Sequence, residues 1–164
     1  SIYAESEGRW VDEESALDEK DPHAHILIET ENTFLDCKKE DWEVVVLRLG
    51  EIYGPGRDLK QKAQYYLAHP VAFFGENYTN MVHIDDIAHA AHYVVHSSLK
   101  GIFNLADDEH PIRKELFAKI CGTYNIPSIS WGTVKHPVHG KNKRVSNDKI
   151  TRTGYQLVHP QREF

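Results

Sequence analysis

Histidine is the residue type that first suggests chemistry here: the chain has 11, and His89, His92 and His96 recur at intervals of three and four. On a helix this spacing forms one stripe, with Asp85 close to the same line, and zinc accepts imidazole and carboxylate at such spacing. No residue can be named that would orient the rings, however, and a polar helix flank facing water gives the same pattern. They read as solvated histidines, and no metal is assigned. His136-x-x-His139 stands in a loop and is weaker still.

Phosphate chemistry needs glycines at fixed spacing so that the backbone can approach a pyrophosphate. None of the 10 glycines supplies G-x-G-x-x-G, and Pro55 removes an amide from Gly50-x-x-x-Gly54-x-Gly56. That segment reads as a sheet-edge turn. No G-x-S-x-G elbow is present, and Cys37, between Asp36 and Lys38-Lys39, has nothing to hold a thiolate. Lys135, Lys141, Lys143, Arg144, Lys149 and Arg152 form the basic cluster, with His136 and His139 among them. Two readings stay open: an attractor for a phosphate or carboxylate ligand, or a surface balancing the acidic N-terminus. In His83-x-Asp85-Asp86 a buried Asp at a helix start can tie a loop to the sheet through backbone amides.

The elements that must position these residues alternate. The acidic first 20 residues read as a surface loop anchored by Trp10. Asp21-Pro22 starts a helix. Ala24, Leu27, Ile28, Glu31, Phe34 and Leu35 continue it over residues 23–38. The near-continuous apolar run over residues 42–49 suits a parallel strand covered on both faces. A helix follows through Leu59, Ala63, Tyr66 and Leu67, then short strands over residues 71–74 and 80–84. The next helix, capped by Asp85, should turn Ile84, Ile87, Ala88, Ala91, Val94 and Val95 inward. Residues 101–105 read as a strand and residues 115–124 as a helix burying Leu116, Phe117 and Ile120. The last 35 residues read as irregular. Strand and helix in alternation make the class α/β.

With 40% hydrophobic and 27% charged residues, the composition is that of a globular domain. A formal charge of −6 speaks against a nucleic-acid partner, and the apolar runs are far too short for a membrane span. Two cysteines outside any C-x-x-C pair fit a reducing, cytoplasmic compartment.

Four motifs in order carry a resemblance. They are Tyr3 before the acidic loop with Trp10-Val11-Asp12-Glu13; Val45-Val46-Leu47-Arg48-Leu49-Gly50-Glu51-Ile52-Tyr53-Gly54-Pro55-Gly56-Arg57; Asn80-Met81-Val82-His83-Ile84-Asp85-Asp86; and Phe103-Asn104-Leu105 with Lys143-Arg144-Val145-Ser146-Asn147. Together they resemble the extended short-chain dehydrogenase/reductase superfamily of NAD-dependent epimerases and dehydratases, in its atypical, bacterial sugar-epimerase-like branch. The resemblance implies the tail of a Rossmann-type parallel sheet plus a small C-terminal substrate-binding region. Residues 1–57 would be the last elements of the NAD(P)-binding domain and residues 58–164 mainly the substrate region. A nicotinamide-binding half would precede Ser1, the chain being inactive alone. The implied cofactor is NAD or NADP, with Tyr3, Leu49, Gly50, Glu51 and Ile52 at its nicotinamide end. Arg57, His83, Lys143 and Arg144 would bound the pocket of a sugar or other small polar substrate. The implied partner is the missing N-terminal half or a homodimer mate.

The sequence departs from the family pattern in two places. The Tyr and Lys of Tyr-x-x-x-Lys fall on His23 and Leu27, leaving His23 as the candidate proton-transfer residue. A carboxylate at Glu51, and Thr79 where an Arg is common, speak against a nucleotide sugar. The alternative is a non-catalytic sensor or binding module on the same scaffold.

Overall fold

The computed structural model describes residues 2–39, 42–69, 71–134 and 141–164; the Lys135, His136 and His139 part of the basic cluster lies outside them. The elements are β1 (Trp10–Val11), α1 (Pro22–Asp36), β2 (Val45–Leu49), β3 (Glu51–Tyr53), α2 (Leu59–Ala68), β4 (Val71–Phe73) and β5 (Met81–His83). They continue with α3 (Ile84–Val95), β6 (Gly101–Leu105), α4 (Arg113–Thr123), β7 (Trp131–Val134), β8 (Arg144–Val145) and α5 (Asp148–Thr151). All four strand pairs, β1·β8, β2·β6, β3·β5 and β4·β7, are parallel. This is the mixed α/β class expected from the alternation.

β2 and β3 form one strand that changes partner at Gly50. The Gly50 amide still donates to Leu105 O at 2.9 Å, whereas the next amide, Glu51, donates to Asn80 O at 2.7 Å on the opposite side. A side chain cannot sit at the switch, because a Cβ on Gly50 would lie 2.9 Å from Asn80 O. Since backbone groups alternate sides along a strand, the amides of Val45, Leu47 and Leu49 point to the edge that β5 covers only from Glu51 onward. Among the described residues β2 pairs with β6 alone, so that edge is open over residues 45–49. The first four residues of β2 are only half-buried, unlike a parallel strand with helices on both faces.

Three apolar clusters form the core. One joins α2 and α4 through Ala63, Phe117 and Ile120; one packs Phe103, Leu105 and Tyr155 beneath α3; the third holds Ile2, Tyr3, Val11, Ala24 and Ile28.

Four expectations need correction. The N-terminal segment is anchored by Val11, Tyr3 and Ile2, while Trp10 is 54% exposed. β1 pairs with β8, so alternate residues face opposite ways, and Trp10 packs outward against the Arg144 guanidinium at 5.0 Å. The last 35 residues are not irregular throughout, since they contribute β7, β8 and α5. Helix α3 is rotated from its expected face: Asp86 and Ala90 are the buried positions, while of the expected residues Ile87 packs against the Phe103 cluster and Val94 is half-buried. Ile84 and Val95 are 39% and 77% exposed, and Ala88 and Ala91 between them are exposed too. The cause is Asp86, which the C-terminal segment draws inward. Its carboxylate accepts from the amides of Val158 at 2.6 Å and His159 at 3.1 Å. The helix cap is His83, whose Nδ1 accepts from the Asp85 amide, rather than Asp85.

Candidate functional site

A cleft of about 580 Å³ opens where the β2 edge passes from uncovered to covered by β5. Helix α1 forms one wall with Leu27, Thr30 and Glu31, and β2 with its Gly50-Glu51 extension forms the floor. Asn77, Tyr78 and Asn80 before β5, together with Lys143 and Val145, close the far side. A crevice beyond the carboxyl end of a parallel strand, at a change of strand partner, is where α/β sheets commonly bind ligands.

Polar residues within apolar strands supply its fixed chemistry. Arg48 breaks the Val-Leu run of β2 and forms a bidentate ion pair with Glu31 on α1, Nη2 to Oε2 being 2.7 Å and Nε to Oε1 3.0 Å. It also donates to the Tyr3 hydroxyl at 2.9 Å. Directly across in register, buried Asn104 accepts the Tyr3 hydroxyl proton at 2.5 Å through Oδ1 and donates to Ser146 O at 3.1 Å through Nδ2. Burial pushes the Tyr3 hydroxyl above its ordinary pKa, against the pull of Arg48. It therefore stays protonated at neutral pH and acts as a donor that fixes the cleft wall.

Asn80 is held from three sides. Its Nδ2 donates to Lys143 O at 3.0 Å, and its Oδ1 accepts from the Val145 amide at 2.6 Å and from His110 Nδ1 at 3.0 Å. Because that oxygen only accepts, Nδ1 of His110 carries the proton. Burial, aided by Arg162, pushes His110 down to about 4, so the ring is neutral at physiological pH.

Charge in the cleft is largely matched internally. Glu51 takes Arg113 at 3.1 Å and Lys62 as ion partners. Its carboxylate therefore meets two cations before any ligand, and the repulsion of phosphate read from the sequence is offset. Lys141 pairs with Asp18. Lys143 differs: only 2% exposed, it donates from Nζ to Tyr3 O at 3.2 Å. Burial pushes it down to about 8, with Glu5 opposing and Lys141 assisting.

Of the residues singled out in the sequence, the cleft brings together Tyr3, Leu49, Gly50, Glu51 and Lys143. Ile52 packs against the Phe103 cluster, and Arg57 is exposed on a separate hollow with Lys62 and Tyr65. Arg144 is spent on Gly8 O at 2.9 Å and lies over the rings of Trp10 and Tyr78. His23 sits exposed in the first turn of α1, its amide donating to Asp21 at 2.8 Å, and is not on the cleft wall; Leu27, one turn on, is. His83 turns away toward His159, their ring centroids 3.9 Å apart. With Asp85 they form the one group of potential metal ligands converging among the described residues, within 4.8 Å. The Nδ1 lone pair of His83 already accepts the Asp85 amide, so coordination there would undo the cap of α3. Sequence reasoning did not single out Glu31, Asn80, Asn104 or Arg113. For Asn104 a signal existed: one polar residue inside the apolar strand Gly-Ile-Phe-Asn-Leu.

The described residues do not form a cradle for a dinucleotide pyrophosphate. Each of the five described helices carries a carboxylate at its cap or first turn: Asp21, Asp58, Asp85 with Asp86, Glu115 and Asp148. Asp21 accepts from the His23 and Ala24 amides, and the others place negative charge near their helix starts, which disfavours phosphate there.

No protein-family model and no curated protein matches the sequence. Solved structures do match. A conserved protein of unknown function from Silicibacter pomeroyi is 24% identical with TM-score 0.78, covering 98% of this chain and 59% of its own. A human epimerase family protein solved with NADPH is 17% identical with TM-score 0.78 and the same two coverages, 98% and 59%. UDP-glucose 4-epimerase of Thermus thermophilus, solved with NAD, is 19% identical with TM-score 0.71, covering 96% and 56%. The chain shares the fold of part of these structures and spans a little over half their length. Among its described residues no helix is long and apolar enough to cross a membrane.

Proposed function

We propose that this chain is the substrate-side part of an NAD(P)-dependent epimerase, dehydratase or reductase-like protein acting on a sugar or other small polar molecule. The observation that carries the reading is the cleft at the partner switch of β2, floored by a strand whose edge is open over residues 45–49. An unpaired parallel edge favours the addition of another strand. Two apolar surfaces support the same completion: Ile26, Leu27 and Phe34 on α1, and the Ile84–Val95 stripe on α3. On this reading residues 1–57 complete a nucleotide-binding sheet, residues 58–164 shape the substrate side, and the pyrophosphate cradle comes from polypeptide beyond those described. Tyr3, Leu49 and Gly50 then face the nicotinamide end of the cofactor, and the Asn80, Asn104 and Lys143 side faces the substrate.

One observation favours a second reading, a non-catalytic binding module. Leu27 lines the cleft where the family's lysine would stand, and an alkyl side chain supplies no charge to a proton-transfer partner. Calorimetric titration with NADPH separates the possibilities. The chain alone should show no saturation below millimolar cofactor, whereas the longer polypeptide that the proposal requires should bind it in the micromolar range. Hydride transfer then marks the enzyme, and binding without turnover the module. Micromolar binding by the 164-residue chain alone would overturn the proposal.

A further inference from the structure

Taking the cleft as the ligand site, the reading proposed above, we infer that it selects a ligand bearing one anionic oxygen group, carboxylate or phosphate, which docks on Lys143. The other cations of the cleft already have ionic partners. Arg48 is committed to Glu31 through two guanidinium nitrogens, Arg113 and Lys62 share Glu51, and Lys141 holds Asp18. Each of these charges is compensated, so an incoming anion would have to compete with a protein carboxylate.

Among the described residues lining the cleft, Lys143 is the cation left over. Its side chain is buried, it lines the cleft, and the acceptor it reaches is the neutral carbonyl of Tyr3 at 3.2 Å. An ammonium group has three N–H donors, and one carbonyl neither uses them nor balances the charge. Burying a charge in this condition is costly unless an ionic partner arrives. Glu5, the acidic group acting on it, is engaged with the backbone amides of Ser6, Glu7 and Asn142 at 3.0, 2.7 and 2.9 Å. An oxyanion in the cleft would take the remaining donors, and Asn80, fixed on the Lys143 carbonyl, holds this strand in place.

The test uses the 164-residue chain with three probes of similar size: glucuronate, glucose 1-phosphate and neutral glucose. NMR titration follows the amides of Tyr3, Asn80 and Asn104, together with the labelled Lys143 amine. Either anion should bind at least about tenfold more tightly than glucose, as expected for a charge-assisted hydrogen bond, and should raise the amine's titration midpoint. The relative affinities of the two anions show whether the group is carboxylate or phosphate. Lys143→Met should remove the preference while retaining fold and glucose affinity, because it keeps the aliphatic volume and deletes a buried charge. Lys143→Arg should retain most of the preference. Equal binding of glucose and the anions in the cleft would overturn the anion subsite and leave the cleft reading standing. No response of the cleft amides to any probe would overturn both.

Discussion

Arg162→Met is expected to lower unfolding stability by about 3–5 kcal/mol, the range for breaking a buried ion pair. In a chain of this size that corresponds to a fall in Tm of roughly 10 °C or more. Arg162 and Asp107 have side chains 0% and 1% exposed and meet in a bidentate pair, Nε to Oδ2 at 2.6 Å and Nη2 to Oδ1 at 2.9 Å. The same guanidinium donates to Thr79 Oγ1 at 2.6 Å and to the carbonyl of Glu109. Methionine would leave the Asp107 carboxylate in the interior with the Glu109 amide at 3.2 Å as its remaining donor. Burial already pushes Asp107 up to about 6 even with Arg162 present, so the orphaned group would protonate or unfold the segment. Urea unfolding checks the size of the loss. Adding Asp107→Leu to Arg162→Met should recover part of it, since two apolar groups leave no charge unpaired. A double variant as unstable as the sum of the two single variants would show that the pair does not act as a unit. Because Thr79 leads directly into Asn80, the single variant should also broaden the NMR signals of the cleft residues.

The second large effect is expected at Asp86. Asp86→Ala removes the acceptor of the Val158 and His159 amides, while the Tyr155 hydroxyl keeps the Asp86 backbone carbonyl at 3.1 Å. Each of these two part-buried donors costs toward the lower part of the range of about 1–3 kcal/mol, so a loss of about 2–4 kcal/mol is expected. Its readout differs from a general loss of packing. The segment from Tyr155 to Phe164 is held at one end by Asp86 and at the other by Asp107, so it should become the first site of limited proteolysis. Asp86→Asn keeps the shape but can accept at only one oxygen, and should fall between wild type and Ala. Wild-type protease resistance in Asp86→Ala would show that the tail is held by other contacts.

The buried Asp read from His83-x-Asp85-Asp86 is Asp86, tied through backbone amides as expected, whereas Asp107 lay beyond the reach of sequence reasoning. Local signals sufficed for α1, started by Asp21-Pro22, for the apolar strand ending at Leu49, and for the inward face Leu116, Phe117 and Ile120 of α4. The partner switch at Gly50 was visible only as a turn-rich stretch, since its cause is the approach of Asn80 from 30 residues away. The Asp107–Arg162 pair joins residues 55 positions apart, in a tail with neither periodicity nor a run of strand formers. Helix α3 shows the same limit: its apolar spacing indicated an inward face, but Asp86, held by tail amides, set the rotation. At the cleft, the resemblance pointed to Tyr3 and Glu51, and the basic cluster to Lys143. Their meaning depended on which charges were already paired, and pairing is a property of the folded chain.

Amide hydrogen exchange along β2 tests most directly whether this sheet is built to be extended. The amides of Val46 and Arg48 face β6 and should be protected in the 164-residue chain, whereas those of Val45, Leu47 and Leu49 should exchange much faster. In the longer polypeptide all five should be protected, as a strand added to the open edge accepts the alternate hydrogen bonds. Equal, strong protection of all five in the 164-residue chain would mean that the edge is already covered, and would contradict the reading of this chain as one part of a larger nucleotide-binding sheet.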